Sequence, residues 1–194
     1  MNQIVGLDLS LNNTGISICG VEDEFSLRHL SNLKLKAEVK GVKVFFERRV
    51  ELLIEQLVFL EVFSPRTSLV FVEGFAMRGS RMTEIAMHQG IVRYHLYKSG
   101  NIPVRAVAPQ TLKKHATGGG HAEKSAVVVH SNRKYRDALA RLGIDILTEN
   151  NQADALNLCH MAWQYYNVKQ GGPCSKEFKH VVNLIDKQDA DFSD

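Results

Sequence analysis

Three carboxylates stand where their neighbours make a charge costly. Asp8 interrupts the apolar run Ile4-Val-Gly-Leu-Asp8-Leu9, Glu73 ends the β-branched and aromatic run Leu69-Val-Phe-Val-Glu73, and Asp154 sits among small apolar residues in Gln152-Ala-Asp154-Ala-Leu156. An ionised carboxylate in such company needs a hydrogen bond, a counter-charge or a cation. Taken singly, each has an ordinary explanation: Asp8 caps the turn after it, Glu73 is half of a surface ion pair, and Asp154 complements a helix dipole. All of them together, each near the end of an element, are better explained by one shared task. Clustered carboxylate oxygens suit hard divalent cations such as magnesium or manganese. A pair of such ions roughly 4 Å apart activates water and clamps a phosphate.

The elements that must position these residues follow from hydrophobic periodicity. Gln3 to Leu9 reads as a strand, Ser10-Leu-Asn-Asn13 as a turn, Thr14 to Val21 as a second strand and Phe25 to about Leu35 as a third. Phe45, Val50, Leu53, Ile54, Leu57 and Leu60 recur at helical spacing between Val44 and Phe63, and Pro65 ends that helix. Leu69 to Glu73 is the next strand, and it puts Glu73 at the carboxyl edge of the sheet, where ligands collect in α/β folds. A loop with two arginines, Gly74 to Arg81, precedes a helix from Thr83 to Ser99, and Val104 to Ala108 is the last strand. After it come the glycine loop Gly118-Gly-Gly120, a helix from about Ala122 to Leu142, and a final helix from about Asn151 to Asn167. This order predicts an α/β fold, a five-stranded mixed sheet with helices on both faces, spanning residues 1–167. Residues 168–194, with Gly171-Gly-Pro173, are expected to be a loosely attached or disordered tail.

Composition narrows the function. The 194 residues, 44% of them hydrophobic, suffice for one core, and the net charge of +3 is no overwhelming basic field. The acidic end Asp186-Lys-Gln-Asp-Ala-Asp-Phe-Ser-Asp194 removes negative charge from the folded part, leaving room for a basic face. Cys19, Cys159 and Cys174 lack paired CxxC spacing and the histidines lack ligand spacing, which argues against zinc and for reduced thiols. No apolar run approaches the ~20 residues of a membrane span, and an apolar strand beginning by Ile4 leaves no signal peptide. A cytoplasmic protein without a membrane partner is expected, in the host cytoplasm if a phage encodes it.

Ile4-Val-Gly-Leu-Asp8-Leu-Ser-Leu-Asn-Asn-Thr-Gly15, Val70-Phe-Val-Glu73-Gly74 and Gln152-Ala-Asp154-Ala-Leu156 resemble, in order, the acidic motifs of the RuvC family of Holliday junction resolvases, phage-type members above all. Ala108-Pro-Gln-Thr-Leu-Lys113-Lys114-His-Ala-Thr-Gly118-Gly-Gly-His-Ala-Glu-Lys124-Ser125 is similar to that family's basic segment and glycine loop. The resemblance implies an RNase H-like sheet in which the first and fourth strands are neighbours, so that Asp8 and Glu73 meet and the last helix delivers Asp154. It implies a homodimer, with the helix from Thr83 to Ser99 as its surface, that cuts four-way junctions or related branched DNA. Two magnesium or manganese ions per site would leave 5′-phosphate and 3′-hydroxyl ends, with Lys113 and Lys124 supporting the transition state.

Where the bacterial pattern has a second aspartate, three residues before Asp154, this chain has Asn151. Asn151 and nearby Glu149 are secondary ligand candidates, and Asn151 is equally a natural helix N-cap. Phe75, two residues past Glu73, is a candidate for base stacking because the family uses an aromatic shortly after its glutamate, at a different offset; its other reading is a loop phenylalanine folded onto the core. Arg78, Arg81, Arg93 and Lys114 are candidates for phosphate contacts, and Gly118, Gly119 and Gly120 for close approach of backbone to DNA. Two other readings stand beside the nuclease. One is a catalytically weak branched-DNA-binding module, favoured if Asn151 empties a metal site. The other is an actin-like or sugar-kinase-type phosphotransferase, whose first phosphate motif Gly6 to Gly15 resembles, but whose repeated domain has no counterpart here.

Overall fold

Antiparallel strands β1 (Gln3–Asp8), β2 (Asn13–Gly20) and β3 (Leu27–Lys34) form a meander. In the computed structural model, which describes residues 2–35, 38–39, 42–43, 45–74 and 82–190, a two-stranded ribbon follows, β4 (Glu38–Val39) with β5 (Val42–Lys43). Then come α1 (Phe46–Phe59), β6 (Thr67–Glu73), α2 (Met82–Lys98), β7 (Val104–Val107), α3 (Pro109–Thr117), α4 (Lys124–Lys134), α5 (Arg136–Arg141), α6 (Asn150–Lys169) and α7 (Lys176–Ala190). The main sheet has five strands in the order β3-β2-β1-β6-β7, with β6 parallel to β1 and β7 parallel to β6. The mixed sheet is the one the order of elements predicts, and the pairing of its first and fourth strands is the one the resemblance implies.

Alternation along the strands divides the core in two. Val5 and Leu7 of β1 and Val70 and Val72 of β6 pack with Leu53 and Leu57 of α1 and Val92 and Leu96 of α2. On the opposite face, Ile4, Leu69 and Phe71 meet Leu158, Met161 and Ala162 of α6. A period of two therefore turns Asp8 and Glu73 toward the α6 face together. A third cluster, with Val127, Tyr135, Leu139 and Leu156, fastens α4 and α5 to α6.

At Gly6 and Gly15 the backbone of helix α6 lies directly on the backbone of the sheet. A Cβ placed on Gly6 would stand 2.3 Å from the main-chain oxygen of Ala155 and from the nitrogen of Cys159, and one on Gly15 would stand 1.9 Å from the main-chain oxygen of Asn151. Both contacts are with backbone, which cannot swing aside.

Two expectations are corrected. The helix read from Ala122 to Leu142 is two helices, parted at Tyr135, whose backbone (φ −111°, ψ 18°) leaves the helical range. Tyr135 is buried there and its hydroxyl donates to Asn157 Oδ1 at 3.0 Å, so the break follows from anchoring a phenol against α6. The segment after Val168 is no loose tail up to Ala190: α7 buries Phe178, Val181, Val182 and Ile185, a helical stripe, against the α6 face of the core. Ser175 Oγ accepts from Phe178 N at 3.1 Å to start it, and Asp186 accepts from Tyr165 and Lys169 at 2.7 and 2.8 Å to hold its far end. Among the described residues, no helix is long and apolar enough to cross a membrane.

The glycine contacts give a direct expectation. Gly6→Ala should cost about 1–3 kcal/mol, the usual range for overpacking, in a thermal or denaturant melt. Gly90→Ala, where a Cβ meets nothing within 4 Å on α2, should be neutral or stabilising.

Candidate metal centre

The register between β1 and β6 pairs Leu7 with Val72, so the next residues, Asp8 and Glu73, end adjacent strands side by side. Asp154, in the second turn of α6, is pressed onto them by the glycine contacts. One carboxylate oxygen from each of Asp8, Glu73 and Asp154 lies within 4.8 Å of the others, and among the described residues no other group of three potential metal ligands gathers this way. Asp8 and Asp154 are only 6% and 8% exposed, and Glu73 is half-buried.

Burial dominates the electrostatics. It raises the Asp8 carboxyl well above the usual carboxylate range, and the negative charges of Glu73 and Asp154 raise it further, against the opposing charge of Lys124. Burial also raises Glu73, although a hydrogen bond from Asp8, Lys124 and Lys113 pull the other way. Asp8 is thus the partner that keeps the shared proton. Burial and then Glu73 push Asp154 up to about 7, opposed by Lys124 and Lys113. The two lysines do not neutralise this pocket, and protons make up the difference when no other cation does. Oxygen-only donors, clustered, buried and short of positive charge, fit a divalent ion such as magnesium or manganese.

Lys113 on α3 and Lys124 at the start of α4 both lie close enough for their charges to act on Glu73 and Asp154. The glycine loop joins these helices. Gly118 closes α3 in the left-handed conformation (φ 84°), and Thr117 Oγ1 accepts from Gly119 N at 3.2 Å while donating to Lys113 O at 2.9 Å. Lys114 instead lines a groove of about 580 Å³ between α3 and α7, together with Gly118 and Gly120. Arg93 is exposed on α2. Glu149 is the N-cap residue of α6 and pairs with Lys34 at 3.5 Å. Asn151 is therefore inside the helix rather than its cap, and its Nδ2 donates to Asp8 Oδ2 at 2.8 Å. Phe75, Arg78 and Arg81 lie outside the described residues.

Sequence reasoning missed Gln89. It is buried in α2, and its Nε2 donates to the main-chain oxygen of Glu73 at 2.9 Å, fixing the end of β6. A glutamine one position from the apolar stripe His88, Val92, Leu96 was the available signal.

A carboxyl whose folded pKa is raised makes the folded state bind more protons, so stability falls as pH rises through that interval. For Asp154 the interval runs from the ordinary value of 3.8 to about 7. Half-buried His115 and His160, held below their usual range first by loss of solvent, act oppositely and lose their contribution as pH falls below 6.5. Comparing variants separates the two. In chelator, Asp154→Asn should melt several degrees above wild type at pH 8, and the gap should close toward pH 4. Saturating magnesium should narrow the gap at pH 8 by stabilising wild type more.

No protein-family model matches the chain. Solved structures do. Thermus thermophilus RuvC in complex with Holliday junction substrate superimposes with a TM-score of 0.64 at 20% identity, over 88% of this chain and 97% of that one. The yeast mitochondrial Holliday junction resolvase Ydc2 gives 0.55 at 13% identity, covering 96% of this chain and 84% of that one. The fowlpox virus resolvase, in complex with its substrate Holliday junction DNA, gives 0.53 at 11% identity over 84% and 98%. The chain has the RNase H-like fold of RuvC and other Holliday junction resolvases.

Proposed function

We propose that this chain is a metal-dependent endonuclease that hydrolyses phosphodiesters of branched DNA, with the four-way junction as its substrate and a homodimer as its working form. The observation that carries the proposal is the gathering of Asp8, Glu73 and Asp154 within 4.8 Å at the carboxyl edge of the sheet, with Lys113 and Lys124 beside them. The structural likeness to resolvases seen with junction DNA supports the substrate class.

Asp8, which feels the negative charge of both Glu73 and Asp154, would be the shared ligand, and Glu73 and Asp154 would complete the set. Magnesium or manganese, when bound there, lowers the pKa of the attacking water and neutralises the phosphate. Lys113 and Lys124, held on helices rather than on a loose tail, offer fixed positive charge to the negative charge that develops at phosphorus. The glycine loop between them lets backbone approach a phosphate closely. In-line attack by water, with loss of the 3′ oxygen, leaves a 3′-hydroxyl and a 5′-phosphate.

The dimer proposal rests on an apolar face. Met87, Tyr94 and Tyr97 of α2 are 52%, 60% and 64% exposed. Met87 also lines, with Phe46, Val50, Ile54 and Ile91, a groove of about 610 Å³ between α1 and α2. Such a patch is atypical of a monomer surface, and a two-fold axis through it would match two symmetric cuts. The enzyme would act wherever its DNA is, in a bacterial or host cytoplasm.

With magnesium or manganese, wild type should cut a labelled four-way junction and spare linear duplex, and Asp8→Asn should cut neither. Lys124→Ala should lower the single-turnover rate by on the order of 10²–10³-fold, as removal of a transition-state donor does. Equal cutting of linear duplex would remove the structure selectivity, and junction binding without cutting would leave a binding module. In sedimentation experiments, Tyr94→Glu should turn a dimer into a monomer; a wild-type monomer would contradict the dimer.

A further inference from the structure

Asn151 faces Asp8 with its nitrogen. Its Nδ2 donates both to Asp8 Oδ2, at 2.8 Å, and to the main-chain oxygen of Asn13, at 3.0 Å. A main-chain oxygen can only accept, so an amide turned the other way would set oxygen against oxygen. The chemistry of the two partners therefore fixes the orientation. The backbone of Asn151 is equally fixed, because its carbonyl lies where Gly15 leaves no room for a side chain. Asn13 is the first residue of β2 and follows the turn that leaves Asp8, and Ser10 Oγ accepts from its main-chain nitrogen at 3.1 Å. One amide thus ties the last residue of β1, the first of β2 and the first turn of α6 together.

We propose that Asn151 is a positioning residue for Asp8 rather than a ligand of the metal. By donating to one oxygen it holds the carboxylate in a single rotamer and leaves the other oxygen to the cation shared with Glu73 and Asp154. Second-sphere donors of this kind change metal affinity by about 10–100-fold when removed. The proposal rests on the metal-centre reading for its effect on cation binding, although the hydrogen bonds themselves exist without a cation. It gives the site three carboxylates and a neutral clamp, and Glu149, paired with Lys34, adds no fourth.

The test uses the whole chain without DNA. In ¹⁵N spectra the side-chain NH₂ of Asn151, assigned by its loss in Asn151→Ala, should be protected from solvent exchange, shift in Asp8→Ala, and stay protected when magnesium is saturating. Titration with manganese, followed by the paramagnetic signal of the free ion, should show Asn151→Ala binding about 10-fold or more weakly than wild type, with a melt that remains cooperative. An NH₂ that exchanges freely in the metal-free protein, that loses protection on magnesium binding as its oxygen turns to the ion, or an unchanged manganese affinity would overturn the proposal. Wild type and Asp8→Ala binding manganese alike would instead overturn the metal-centre reading, and the protected amide would still decide whether Asn151 clamps Asp8.

Discussion

Backbone lying on backbone is the contact on which this site depends. Helix α6 meets β1 and β2 at Gly6 and Gly15, where the distances leave no space for even a methyl group. Every residue from Ala153 to Cys159 is buried, so this stretch of α6 has no solvent face, as expected for a helix enclosed between a sheet and other helices. An ordinary helix-on-sheet separation would carry Asp154 away from Asp8 by the width of a side chain. The glycines in the strands and the small residue Ala155 on the helix make the closer approach possible, and that approach turns two strand-end carboxylates into a three-carboxylate pocket.

The same closeness makes the pocket electrostatically unfavourable until something positive enters it. Desolvation is the largest cause of the raised pKa at Asp8, Glu73 and Asp154, and mutual repulsion adds to it at Asp8 and Asp154. Lys113 and Lys124 offset part of this from α3 and α4, helices that are themselves fastened to α6 through Leu112, Val127 and their neighbours. The charge deficit and the rigid frame around it are the two properties a cation site needs: the first supplies affinity, the second keeps the ligands from relaxing apart. Gln89 of α2, donating to the main chain of Glu73, and Asn151 of α6, donating to Asp8, extend the frame to the ends of β6 and β1.

Much of this was legible in the sequence, for identifiable reasons. Asp8 and Glu73 stood out because a period of two in apolar strands leaves no ordinary place for a charge, and Asp154 because its helical neighbours are small and apolar. Lys113 and Lys124 were found only through the resemblance to resolvases, since a lysine beside a glycine loop has no local signature. The close-packing role of Gly6 and Gly15 was invisible, because a glycine in a strand reads the same whether it makes a bulge, a turn or room for a helix. Helix α7 was hidden by Gly171-Gly172-Pro173 ahead of it and the acidic residues behind it, although its 178, 181, 182, 185 spacing is plainly helical. The direction in which the Asn151 amide faces depends on Asn13, a partner 138 residues away, and no local pattern encodes that.

The most direct measurement is diffraction from crystals grown with manganese, recorded where manganese scatters anomalously. The account predicts an anomalous peak within bonding distance of Asp8 and of Glu73 or Asp154, with Asn151 Nδ2 still directed at Asp8. A manganese-saturated crystal with no peak in this pocket, or with its strongest peak held by other carboxylates such as Glu149, would contradict it.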